Sequence, residues 1–257
     1  MRKGLRTAII AGVIGLLAIS CAAILGMNGR RISQLTCAGV RVEFKDDFNF
    51  ITSKDIEGYL NKEYGAYVGQ RLDSVDLEKV ESILDNKSAI LKAEAYTTPD
   101  GFLNVEIRQR EPVVRFQKGD NGFYADERGF IFPLQRNYTS MVPIIDGEVP
   151  LNVGRGYKGA PKTEAEKKWL SETLGLVNYM TGTVWAENIS QITVRGNGDL
   201  VLIPREGKER FIFGQPSDFE AKFDRIGLYY TTILPEKGNG YYTTVNIKNN
   251  GQIVCRK

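Results

Sequence analysis

Apolar residues are distributed along this chain in two distinct ways. From Thr7 to Met27, TAIIAGVIGLLAISCAAILGM, 21 consecutive positions carry no charge. At about 1.5 Å of rise per residue, a helix of that length covers the roughly 30 Å hydrocarbon core of a bilayer. The run exceeds the ~7–15 apolar residues of a cleavable signal, and it lacks the polar face of an ordinary core helix. Ala18-Ile19-Ser20-Cys21 loosely matches a lipobox, but Ala22-Ala23-Ile24-Leu25 stays apolar where a processed lipoprotein turns polar. The favoured reading is an uncleaved transmembrane helix over 7–27. Arg2, Lys3, Arg6 and the α-amino group precede it and Arg30 and Arg31 follow, a balance that favours an inside N-terminus.

Beyond a juxtamembrane linker over 28–39, short periodic segments replace the unbroken run. Val40-Arg41-Val42-Glu43-Phe44 alternates as a half-buried strand does. Thr52-Ser53-Lys54-Asp55 is a capping pattern opening a helix with Ile56, Tyr59 and Leu60 on one face, and a second helix starts near Asp76 with the stripe Leu77, Val80, Leu84. Ile90–Thr97 and Phe102–Arg108 are strands around the turn Pro99-Asp100-Gly101. The order β-α-α-β-β over 40–110 predicts a compact domain, two helices on one face of a three-stranded sheet.

Glu111-Pro112 marks a boundary, because proline suits a strand start or an edge. Over 111–257 the chain is strand-rich: Val113–Phe116, Gly122–Ala125, Phe130–Phe132, Val142–Ile145, Ile189–Arg195, Asp199–Ile203, Glu209–Phe213, Tyr241–Ile247 and Gln252–Cys255. Lys162–Met180 reads as a helix with Trp169, Leu174, Val177 and Met180 on one side. Ser217-Asp218-Phe219-Glu220 reads as a capping box for a second helix carrying Phe219, Phe223, Ile226 and Tyr230. The fold class is therefore α+β behind one transmembrane helix, with a short tail over 1–6.

Composition narrows the chemistry. The formal net charge is only +3, without a basic block, so no nucleic-acid footprint is present. The chain contains no histidine, which removes Ser-His, Cys-His and His-zinc constellations. Paired-carboxylate chemistry survives that exclusion. The conspicuous acidic pairs are Asp46-Asp47 and Asp126-Glu127, but neighbours on a strand point to opposite faces and turn carboxylates stay solvated. The glycine-rich segment Leu151–Pro161 lacks the Gly-Lys-Ser/Thr ending of a phosphate loop. No catalytic, cofactor-binding or metal-binding residue is expected. Cys37 and Cys255 are disulfide candidates in an oxidising compartment, but the sequence does not bring them together, and two unpaired thiols are expected.

Several segments taken in order resemble the FtsQ/DivIB family of bacterial cell-division proteins. They are Gly69-Gln70-Arg71-Leu72-Asp73-Ser74-Val75-Asp76, then Leu103-Asn104-Val105-Glu106-Ile107 leading to Arg110-Glu111-Pro112-Val113-Val114, and Tyr124-Ala125-Asp126-Glu127-Arg128-Gly129-Phe130-Ile131-Phe132. Val142-Pro143-Ile144-Ile145-Asp146-Gly147, Phe213-Gly214, the helix after Ser217 and Val245-Asn246-Ile247-Lys248 complete the match. The resemblance implies a POTRA domain over 40–110, an FtsQ-type β domain over 111–257, and a non-catalytic scaffold in the inner membrane at the division site, with both domains in the periplasm. It also implies FtsB/FtsL-like partners at the β domain and FtsK-like division proteins at the POTRA domain. The expected partner-binding residues are Tyr242, Thr243, Thr244, Val245, Asn246, Ile247, Lys248 and Asn249, acting as an exposed edge for strand addition. Where the family closes on Asp-Leu-Arg-Tyr, this chain has Asn246-Ile247-Lys248-Asn249, so a main-chain contact survives the change and an arginine-fork or aromatic contact does not. Two other readings are a carboxylate-based cell-wall glycan hydrolase and a POTRA protein of outer-membrane assembly or secretion. The visible single POTRA unit, with no run of barrel strands after it, weakens the latter.

Overall fold

The computed structural model describes residues 14–17, 19–21 and 35–257. Most of the expected transmembrane segment lies outside the described residues, and among those described no helix is long and apolar enough to cross a membrane. The chain divides into two compact units, one reaching Gln109 and the other starting at Arg110, with Phe48–Phe50 grouped with the second.

In the first unit, β1 (Gly39–Phe44) is followed by α1 (Ser53–Glu63), a 3-10 turn, α2 (Leu77–Asp85), β2 (Ile90–Thr97) and β3 (Phe102–Gln109). The sheet order is β1-β3-β2, with β1 parallel and β2 antiparallel to β3. Thr52 and Asp55 form the expected capping box, each side chain accepting from the other's backbone N–H. Asp76 caps α2 by accepting from Lys79 N at 2.9 Å. The helices bury Ile56, Leu60, Val80 and Leu84 against Ile90, Ala93, Leu103, Val105 and Ile107. The far end of β3 is tied down by Gln109, whose backbone N–H and side-chain amide both donate to the Asp46 carboxylate. Gln109 Oε1 in turn accepts from Ile51 N at 3.0 Å. Asp46 is thus a structural acceptor.

The second unit is a nine-stranded sheet ordered β12-β11-β10-β9-β8-β7-β4-β5-β6. Its strands are β4 (Pro112–Lys118), β5 (Asn121–Asp126), β6 (Ile131–Pro133), β7 (Ile144–Gly147), β8 (Ile189–Val194), β9 (Leu200–Pro204), β10 (Arg210–Gly214), β11 (Thr244–Asn246) and β12 (Val254–Arg256). Helix α3 (Glu164–Thr181), the short α4 (Trp185–Asn188) and α5 (Phe219–Leu228) supply the rest of the core. Trp169, Leu170, Val177 and Met180 meet Phe116, Phe123 and Ile145, while Phe223 and Ile226 meet Phe211 and Phe213. Thr163 and Glu166 form a capping box at α3 that the sequence reading did not single out. Burial of Glu166 is outweighed by N–H donors from Asn152, Thr163 and Lys162, which hold its carboxyl below the usual range.

Two expectations are corrected here. The capping box at Ser217–Glu220 does not form. Asp218 is the N-cap, sits at φ 48° and makes no side-chain capping bond. The helix beyond it is also not uniform: Tyr229–Ile233 is a π-helical turn followed by α6 (Leu234–Lys237). Pro235 explains the change, because it offers no N–H to Thr231 C=O and its ring crowds that carbonyl. Leu234 N–H accordingly reaches back five residues to Tyr229 O. The wider turn brings consecutive rings, Tyr229 and Tyr230, to 5.5 and 5.6 Å from Phe211.

Candidate functional site

The candidate partner-binding residues lie at the β12 end of this sheet. Only Thr244–Asn246 of the expected strand is regular, and Val245 and Ile247 point into the core. Tyr242 packs against that core and meets the Tyr241 ring edge-on at 4.8 Å. Lys248 Nζ pairs with Asp199 at 3.3 Å, and its N–H donates to Asn246 Oδ1 at 3.1 Å. Asn249 begins the turn that returns through Gly251, at φ 69°, to β12. The backbone of Ile247 is held from a different element, since its carbonyl accepts from Arg225 Nε at 2.9 Å.

The expected strand is not itself the edge. β11 lies between β10, to which it is parallel, and β12, to which it is antiparallel. Arg210 N–H donates to Thr243 O and Ile247 N–H donates to Ile212 O, which leaves Val245 facing β10, while Thr243 N–H already turns to Arg256 O on β12. Thr244 and Asn246 therefore face β12, opposite Arg256 and Val254. Polar groups alternate along a strand, so Cys255 N–H and C=O point away from β11, off the outer edge of the sheet. The alternating pattern at Tyr241–Ile247 marks a strand but cannot tell an edge from its neighbour. A following segment of only three regular residues makes the difference.

The edge has a firm base. Cys255 is half-buried against the core, and burial pushes its thiol up, while Val254 is 42% exposed and Arg256 is exposed on the other face. Glu209 is buried and accepts from Lys208 N at 2.9 Å, and its charge bears on the Tyr229 and Tyr230 phenols. Burial, reinforced by the Glu209 charge, pushes Tyr229 up to about 12, and Tyr230 is raised for the same reasons. At the flank, Lys257 Nζ lies 4.3 Å from the Tyr241 ring centre and holds that phenol below its usual value.

The remaining acidic pair flagged in the sequence has structural work. Asp126 accepts from Arg128 N and Phe130 N and pairs with Arg110, closing the hairpin whose turn places Gly129 at φ 75°. Among the described residues no acidic or thiol cluster has a metal-binding arrangement, and the described cysteines are free thiols.

Comparison with protein families decides the identity. Residues 111–256 match the family described as FtsQ/DivIB, C-terminal related, and residues 35–108 match a POTRA-like domain. The chain belongs to the FtsQ/DivIB family. No match to a curated protein was found. Members of the FtsQ/DivIB family are cell-division proteins, generally non-catalytic. The outer edge at β12 and the Asp126 hairpin both fall within the FtsQ/DivIB match.

Proposed function

We propose that this chain is a non-catalytic scaffold of the division machinery that holds an FtsB/FtsL-like complex by strand addition at its C-terminal edge. The supporting observation is the outward-facing pair of polar groups on Cys255, on a strand whose inner side is occupied by β11. A partner strand laid there completes a ladder through main-chain groups, which is indifferent to the loss of the family's arginine and tyrosine near Lys248 and Asn249. Tyr242 to Asn249 contribute by fixing the position of β12 from inside the sheet. The hydrophobic run at Thr7–Met27 anchors the chain in the inner membrane, with both domains in the periplasm. The POTRA-like unit is then free to engage FtsK-like division proteins. Tethering to one membrane raises the effective concentration of such partners toward each other without any new contact.

The test is Cys255→Pro. Proline removes an outward N–H and leaves the donors facing β11 untouched, and edge strands tolerate it at such positions. Recovery of the FtsB/FtsL-like partner with the full-length chain should fall at least about tenfold, since a lost ladder bond and the displaced partner strand together cost upward of ~1.4 kcal/mol. Unchanged recovery from a folded variant rejects strand addition at this edge. Normal division in cells depleted of the protein rejects the scaffold role itself.

A further inference from the structure

The outer edge of β2 in the POTRA-like unit is not open. Ala93 N–H donates to Asp85 Oδ1 and Ala95 N–H donates to Glu81 Oε1, both at 2.7 Å. These two amides point away from β3, since β2 is an outer strand of the β1-β3-β2 sheet. The spacing fits. Residues 81 and 85 are about 6.0 Å apart along a helix, and residues 93 and 95 about 6.8 Å apart along a strand. One turn of α2 therefore lays two carboxylates against two successive edge donors. A partner strand arriving here would bring its own carbonyls to the places these carboxylates fill, against two negative charges.

The strand so covered is self-complementary. An antiparallel pairing of two copies centred on Ala93 makes Ala93 a hydrogen-bonded pair and puts Lys92 of each copy opposite Glu94 of the other. In a single copy Lys92 and Glu94 already pair with each other at 2.5 Å, so the same charges are at hand to exchange. Ala93 and Ala95 add no bulk to hinder the approach. The arrangement is isologous, as a two-fold dimer requires.

We propose that Glu81 and Asp85 act as edge guards, keeping β2 closed against antiparallel pairing with a second copy of this chain. Their side chains do for this strand what covering loops or inward charges do for other sheet edges.

The experiment uses the full-length chain in detergent, comparing wild type with E81A/D85A, E81Q/D85N and E81A/D85A/A93P. Amide exchange is read first. Thr97 N–H shares the parity of Ala93 and Ala95 on this edge and meets no guard carboxylate, so it is the internal reference. In the wild type, Ala93 and Ala95 should exchange at least tenfold more slowly than Thr97, and in E81A/D85A they should approach it. Sedimentation is read second. E81A/D85A should dimerise with rising concentration, A93P should abolish the gain by removing the central donor, and E81Q/D85N should stay monomeric because each amide keeps a carbonyl acceptor. Should the double alanine variant lose its fold, E81A and D85A singly must each speed exchange at the one amide they uncover. Wild-type amides no slower than Thr97 would overturn the guarding contact. A folded E81A/D85A chain with fast amides that stays monomeric would overturn the self-pairing.

Discussion

Removing the Asp126 carboxylate should destabilise the second unit more than a surface hydrogen-bond loss would. Three donors converge on it: Arg110 Nη1 and Phe130 N at 2.9 Å and Arg128 N at 3.0 Å. The Asp126 and Arg110 side chains are only 6% and 13% exposed, and the guanidinium lies 3.6 Å from the Phe130 ring centre. Asp126→Ala leaves a buried guanidinium without its counter-charge, a loss of about 3–5 kcal/mol. The two turn amides partly recover water, so about 4 kcal/mol in total is a fair expectation. With a urea m-value of ~2 kcal/mol/M, the unfolding midpoint falls by about 2 M. The two tryptophans, Trp169 and Trp185, both belong to the second unit, so fluorescence reports its unfolding alone. Asp126→Asn keeps an acceptor for the two amides but not the charge, and should lose an intermediate amount. A midpoint for Asp126→Ala within about 0.5 M of wild type, near 1 kcal/mol at that slope, would refute the claim that this ion pair closes the hairpin.

Three further outcomes follow from the same structure. Gly147 sits at φ 87° and an added Cβ would lie 2.4 Å from Val194 O, so Gly147→Ala must disturb the β7–β8 pairing. It should cost about 3 kcal/mol or more, seen in the same fluorescence titration. A phenol whose folded value is raised contributes stability that is intact below its unfolded value of 10.0 and is lost as pH rises through about 12. The second unit should therefore weaken between pH 10 and 12, by up to ~3 kcal/mol from Tyr229, and Tyr229→Phe should flatten that part of the profile. Glu166→Ala frees the amides of Asn152, Lys162 and Thr163 together, and should lower stability by about 1–2 kcal/mol.

What the sequence conveyed about this fold depended on how local each signal was. Thr52 and Asp55 lie three residues apart and satisfy each other, so their cap was readable. Ser217 and Glu220 have the same spacing, but the chain enters that helix through Asp218 in a left-handed conformation, which residue type alone does not announce. The family motif at Val245–Lys248 falls at the β12 end of the sheet. It did not reveal that β12 lies outside β11, because the outermost strand is three residues long and hardly alternates. The π turn at Tyr229–Ile233 was hidden for another reason, since Pro235 lies downstream of the turn it alters. Glu81 and Asp85 look like ordinary solvated helix residues, and only the tertiary pairing with Ala93 and Ala95 gives them a role. Long-range main-chain partners are what residue patterns convey least.

The most direct test of the docking account is co-purification of an FtsB/FtsL-like partner with the full-length Cys255→Pro chain. The account predicts an unfolding midpoint close to wild type and partner recovery reduced at least about tenfold. Full recovery of the partner by a folded Cys255→Pro chain would contradict it.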